Sequence, residues 1–192
     1  MAKKESNFKN MVLTLLIISF ISSAALGFIF NITKEPIAKT LLEKKLNAIK
    51  KVVPAFNNDP NKEMYMVSIE DNSAQLEMYP AKQDSTLTGT AVKTFTNKGF
   101  SGLIELIVGF GNDGSIVDIS VLNQKETPGL GTKMTEPFFK DQFKGKNLTT
   151  YKMKVKKDGG DVDAITAATI SSRAFCDAVQ RAYDTYQKGG KK

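Results

Sequence analysis

The sequence has no histidine, no tryptophan and a single cysteine, Cys176. Without histidine, Ser-His-Asp catalysis, imidazole general-base chemistry and histidine-ligated zinc or haem are excluded. A lone cysteine forms no internal disulfide and cannot by itself hold an iron–sulfur cluster. Redox chemistry in this chain therefore has to be carried by an organic cofactor. Arginine is scarce too: Arg173 and Arg181 are the only ones among 27 basic residues, the rest being lysines scattered along the chain. The net charge of +7 and the sequence pI of about 9.3 thus describe a lysine-rich solvated surface beside a membrane. The shortage of arginine for bidentate base contacts argues against nucleic acid as a partner.

Charge is missing altogether from one long stretch. Met11 to Phe30, MVLTLLIISFISSAALGFIF, contains no charged residue and no proline. A helix of this length, rising about 1.5 Å per residue, crosses a hydrocarbon core of about 30 Å. Ser23-Ala24-Ala25 offers the small residues of a signal-peptide cleavage site, but the apolar run continues beyond it, so the stretch reads as an uncleaved single anchor. Lys3, Lys4 and Lys9 precede it and Lys34, Lys39, Lys44 and Lys45 follow it, which leaves the orientation open under the positive-inside rule. From Pro36 to Val53, Ala38, Leu42, Leu46, Ile49 and Val53 recur at steps of three and four. That spacing predicts an amphipathic stalk helix begun at Pro36 and stopped by Pro54. The predicted organisation is a tail over 1–10, a transmembrane helix over 11–30, a helical stalk over 31–56 and a globular domain over 57–192.

The domain is α+β, an antiparallel sheet with flanking helices. Strands are predicted at Thr88–Phe95 and Gly102–Phe110, where Ile104, Leu106, Val108 and Phe110 share one face. A hairpin at Asn112-Asp113-Gly114 leads to a strand over Ile116–Leu122 that buries Val117, Ile119 and Val121. A glycine loop, Glu126–Gly131, precedes a short helix entered at Thr135-Glu136-Pro137 and closed near Gly145. Another strand is predicted at Tyr151–Val155, turned by Asp158-Gly159-Gly160. The last helix, Ser171–Tyr186, carries an apolar stripe of Phe175, Ala178, Val179, Ala182 and Tyr186.

Two segments can carry chemistry. In Asp163–Ser172, DAITAATISS, a turn rich in hydroxyls (Thr166, Thr169, Ser171, Ser172) meets the start of the last helix. Small residues at Ala167 and Ala168 let a ligand approach the backbone. A helix N-terminus presents free N–H groups and partial positive charge, which suits a phosphate. Arg173 can neutralise a bound anion. The same hydroxyls are also the preferred residues for plain helix N-caps, and taken alone they read that way first. In Glu126-Thr127-Pro128-Gly129-Leu130-Gly131, a Pro-Gly turn exposes backbone N–H groups and frees Leu130 to lie against a flat ring. Taken alone, this loop reads as a simple turn.

Asp163-x-x-Thr166-Ala167-Ala168-Thr169 resembles the flavinylation signature of the FMN-binding domain family, D-x-x-S-G-A-T. Asp163, Ala168 and Thr169 match it, whereas Thr166 and Ala167 stand where Ser and Gly are commoner. The resemblance implies FMN held covalently by a phosphoester on Thr169 and installed by a magnesium-dependent flavin transferase. It places Thr166, Ala168 and Ser171 around the phosphoryl group. It also packs the loop on the isoalloxazine, with Thr127 and Leu130 as ring contacts, Gly129 and Gly131 in the turn, and Glu126 and Lys133 beside it.

Anchor, stalk, the GFSGLIELIVGF strand, the NDG hairpin, ETPGLG and DAITAAT together resemble the membrane-anchored FMN subunits of two complexes. These are the G subunit of the Rnf ferredoxin:NAD oxidoreductase and the C subunit of the sodium-pumping NADH:quinone reductase. The short stretch between stalk and sheet is more like the former. What this implies is an electron carrier between ferredoxin and NAD in a complex that moves sodium or protons, with the flavin domain outside the cytoplasm and the 1–10 tail as a cytoplasmic tail. Its partners would be the other membrane, iron–sulfur and flavin subunits, which would also hold the ion path, since one uncharged helix offers none. The readings from other classes are a stand-alone extracytoplasmic flavin reductase and a non-redox module using the glycine loop as an anion nest.

Overall fold

The structure, a computed structural model, describes residues 7–69 and 74–189. The chain divides into two compact units, residues 1–43 and 44–192. Helix α1, Phe8–Val52, supplies the first unit and enters the second. Its most apolar stretch has a mean hydropathy of 2.4, is not buried in protein, and is long enough to cross a membrane. No new helix starts at Pro36; α1 runs through it. Proline removes one i→i−4 bond, and the turns on either side are held by Thr33 and Thr40, whose hydroxyls donate to the Ile29 and Pro36 carbonyls at 2.9 Å each. The expected stalk stripe is buried only at its end. Ala38 and Leu42 are exposed, while Ala48, Ile49, Val52 and Val53 are covered.

The second unit is built on a five-stranded antiparallel meander, β1 (Tyr65–Ser68), β2 (Gln75–Gln83), β3 (Thr86–Gly99), β4 (Gly102–Gly111) and β5 (Ile116–Asn123), each strand beside its sequence neighbour. β1 and β2 fall in a stretch without a clear strand pattern: β1 is four residues long and β2 contains Pro80. β1 pairs only with residues 75–78, so Pro80 meets no strand on that side. Its carbonyl accepts instead from Asn58 Nδ2 at 2.9 Å. Asp84 and Ser85 both have positive φ (49° and 69°), the two-residue hairpin turn whose twist matches the strands. Asn57 clamps it, donating to Asp84 Oδ1 at 2.7 Å and accepting from the Asp84 N–H at 3.1 Å.

The sheet is covered on both faces. Helix α3, Thr169–Gly189, lies on the face of Leu76, Met78, Val92, Ile104, Leu106, Val108 and Phe110, and buries the predicted Phe175, Ala178, Val179, Ala182 and Tyr186. Thr94 Oγ1 donates to the Ala178 carbonyl at 3.0 Å, and Tyr186 OH to the Gly111 carbonyl at 2.9 Å. The end of α1 packs on the other face against Tyr79, Ala81, Ala91 and Ile107. A Cβ at Gly109 would overlap the Val52 carbonyl, so glycine is what allows this approach.

Two expectations are corrected. In β5 the register places Phe110 opposite Ile116 and Gly109 opposite Asp118, leaving Val117 as the extra residue of a bulge. Ile116 is therefore buried instead of Val117, and the half-buried Asp118 pairs with Lys140 at 2.8 Å and Lys144 at 3.3 Å. Tyr151–Val155 is no strand. Met153 and Val155 do point inward, but the segment has a single bridge, Val155 to Val162. Its backbone bonds close on the following loop, with Asp161 N–H to the Lys152 carbonyl at 3.1 Å and Val162 N–H to that of Lys154 at 3.0 Å. The predicted short helix is α2, Pro137–Lys140, flanked by single 3₁₀ turns at Gly131–Thr135 and Asp141–Phe143.

Candidate functional site

The two chemistry-bearing segments meet. A cleft of about 360 Å³ is lined by Glu126, Thr127, Leu130 and Gly131 from the glycine loop, by Ala167, Ala168, Thr169, Ile170 and Ser171 from the start of α3, and by Phe100. Gly129, Lys133 and Thr166 lie outside this lining. Phe100 went unnoticed in the sequence. It sits at the β3–β4 turn and is 67% exposed, a large aromatic left in solvent beside the exposed side chains of Leu130 and Ile170.

The glycine loop is a β-turn in which Pro128 and Gly129 are central, Gly129 has φ 73°, and the Leu130 N–H donates to the Thr127 carbonyl at 3.1 Å. Positive φ at the third position is the type II requirement that glycine meets. The Gly129 N–H donates to Thr132 Oγ1 at 3.0 Å. The N–H groups of Gly129 and Leu130 are thus consumed inside the loop instead of being exposed, which counts against the loop as an anion nest. Leu130 is left pointing outward.

The start of α3 has the opposite character. The residue at its N-cap is Ala168, which has no side-chain acceptor, so the plain-cap expectation fails. Ser172 is spent on the preceding turn: its Oγ accepts from the Ile165 N–H and donates to the Ala168 carbonyl, both at 3.0 Å. Ser171 donates to Glu126 Oε2 at 2.5 Å. Thr166 is exposed and Thr169 half-buried. Among the described residues, the Thr169 hydroxyl and the N–H groups of Thr169, Ile170 and Ser171 have no protein partner. Two hydroxyls in the cleft are therefore available, those of Thr127 on the loop and of Thr169, and it is the Thr169 hydroxyl that is set on a helix end with free donors and partial positive charge.

Ala167 has φ 61°, the left-handed region that glycine adopts at no cost. Arg173 does not face the cleft as an anion partner. It grips Asp158 with both Nε and Nη2, each at 2.7 Å, and the guanidinium holds the Asp158 carboxyl below its ordinary range. Asp163 is likewise paired with Lys156 at 2.7 Å. Cys176 is buried in α3, and burial pushes its thiol up to about 12, so it stays protonated and inert at neutral pH.

A cleft with apolar surface on one side and a helix N-terminus on the other is that of a cofactor-binding domain, and residues 99–184 match the family model of the FMN-binding domain. The chain is 31% identical over 95% of its length to the G subunit of the ion-translocating oxidoreductase complex of Aliivibrio fischeri strain MJ11, covering 93% of that protein. It is 30% identical over 91% of its length to the G subunit of the Na(+)-translocating ferredoxin:NAD(+) oxidoreductase complex of Acetobacterium woodii, covering 89% of it. The chain belongs to this family of G subunits. Its fold is shared with the crystal structure of the C subunit of the Na(+)-translocating NADH-quinone reductase from Parabacteroides distasonis, at a TM-score of 0.50 and 23% identity over 68% of this chain and 67% of that one.

Proposed function

We propose that this protein is a membrane-anchored electron carrier that holds FMN by a phosphoester on Thr169, as the G subunit in a complex coupling electron transfer between ferredoxin and NAD to sodium or proton translocation. One observation carries the reading: Thr169 presents an unbonded hydroxyl to the cleft from the first turn of α3, beside the free backbone N–H groups of that helix end and across from the Thr127–Leu130 loop. End-to-end similarity to the G subunits favours that complex over the NADH:quinone reductase alternative. The residues fit the cofactor. Ala167 and Ala168 leave the backbone open to a phosphoryl group, the free N–H groups of α3 suit its charge, and Leu130, Ile170 and Phe100 offer apolar surface to a planar ring.

Bound FMN supplies reversible electron uptake and release. The chain's own residues bind and orient: Thr169 tethers, the turn at Thr127–Leu130 presents Leu130, and the end of α1 ties the sheet to the membrane helix. The alternative of a stand-alone flavin reductase requires turnover by the purified soluble domain with a soluble donor, since flavin electron transfer itself needs no acid–base residue from the protein. Maturation requires a flavin transferase. The other membrane, iron–sulfur and flavin subunits of the complex are the partners, and the flavin domain faces away from the cytoplasm.

The test is mass spectrometry of the full chain made in the presence of a flavin transferase. The expected mass exceeds that of the sequence by FMN less one water, on the peptide containing Thr169. Thr169→Ala is expected to lose the added mass, the yellow colour and in-gel fluorescence while keeping its far-UV circular dichroism. An unmodified wild-type chain under these conditions refutes the proposal.

A further inference from the structure

Glu126 is the one buried carboxylate in the cleft wall, 4% exposed. Oε1 accepts from the Ser101 N–H at 2.9 Å and Oε2 from the Ser171 hydroxyl at 2.5 Å. Each carboxylate oxygen thus has one hydrogen-bond partner within the protein. Among the described residues no lysine or arginine pairs with it. The chain makes room for it from both sides. A Cβ at Gly131 would lie 2.6 Å from Ser171 Oγ and 2.7 Å from Glu126 Oε2, and one at Gly99 would lie 2.7 Å from Glu126 Oε1. Glu126 thus joins three separate walls: the β3–β4 turn that carries Phe100, the glycine loop that carries Leu130, and the first turn of α3 that carries Thr169.

A buried charge without a counter-ion is costly. If mechanical bracing were its only task, a neutral amide of the same shape would serve. The charge has a use in an electron-carrying site. A fixed negative charge beside a flavin disfavours the added electron and lowers the midpoint potential, more so where water is excluded. Resting on the reading of Thr169 as the FMN attachment point, we propose that Glu126 is a positioning residue that aligns the three walls of the cleft and holds the flavin potential low through its buried charge. The two hydrogen bonds partly quench that charge, so the Ser171 hydroxyl trims the effect.

The two side chains therefore predict shifts of opposite sign. The full chain, co-produced with a flavin transferase and purified in detergent, is first weighed to establish FMN on the Thr169 peptide. Absence of FMN from the wild-type chain removes the underlying reading and this proposal with it. With FMN present, failure of the potentials below overturns this proposal alone. In redox titrations at mildly alkaline pH, Glu126→Gln is expected to move the midpoint to a more positive value. The amide keeps the bond from the Ser101 N–H and can donate to Ser171 Oγ. Ser171→Ala leaves the charge less quenched and is expected to move the midpoint to a more negative value. Unchanged midpoints, or shifts of the same sign in both variants, overturn the proposal, because simple loosening of the cleft has no reason to act in opposite directions. Should Glu126→Gln fail to fold or to load, Ser171→Ala decides alone: a more negative midpoint supports the role, and an unchanged or more positive one overturns it.

Discussion

Ala167 carries a strain that its neighbours do not share. An L-residue in the left-handed region costs about 1–2 kcal/mol relative to the right-handed one, and φ is 61° here. Glycine removes that cost but enlarges the unfolded ensemble by about 0.4–1 kcal/mol. Ala167→Gly is therefore expected to stabilise the domain by roughly 0.5–1 kcal/mol, read as a rise of about 2 °C in a near-UV circular dichroism melt. A fall in melting temperature would mean that the Ile165–Ala168 turn is set by something other than its backbone. The sequence pointed at Thr169 through a motif, and what it did not reveal is that the neighbouring Ser171 and Ser172 hydroxyls are engaged elsewhere. Arg173 misled for a physical reason. Its position in the first turn suggests an anion, but its partner Asp158 comes from a loop whose path no local pattern encodes. Phe100 was hidden for the converse reason: an aromatic in a turn gives no periodic signal, and only the folded hairpin brings it to the cleft.

Among the elements, the end of α1 meets β4 at Gly109, where an added Cβ would overlap the Val52 carbonyl. Gly109→Ala is expected to force them apart, with a cost of about 2–3 kcal/mol as for an overpacked core, measured by melting and by faster proteolysis at the Asn57–Pro60 turn. Wild-type stability and protection in this variant would show that the contact at Val52 yields cheaply. Elements with strong periodicity were readable: β4 with its alternating Ile104–Phe110 face, and α3 with its stripe. Those set by their neighbours were not. Tyr151–Val155 has the alternation of a strand but no strand alongside to bond, and β5 changes its buried set because one bulge at Val117 shifts the register. Pro36 looked like a beginning because proline suits a first turn, yet the interior of a long helix tolerates it here. β1 was too short to announce itself.

For the whole molecule, the proposed sidedness has a direct check. A tag placed after Lys192 is expected to be digested by protease added to spheroplasts, and one placed before Met1 to be protected until the membrane is broken. Protection of the C-terminal tag in intact spheroplasts would overturn the extracytoplasmic placement, whatever is bound at Thr169. Charge counts did not decide this, since lysines flank the apolar stretch on both sides. The meander and its last helix also have a bearing on the order in which the molecule is made. β1 to β5 pair with sequence neighbours, contacts that close over short loops and form early. Residues 134–165 add Met134, Phe139 and Phe143 to the core on this face, but the part of it on β3 and β4 is covered only when α3 comes back across them. Every earlier stage of synthesis leaves Val92 and Leu106 open to unwanted association. A ribosome halted before Thr169 would have released all five strands, but neither the lid of their core nor the Thr169 hydroxyl.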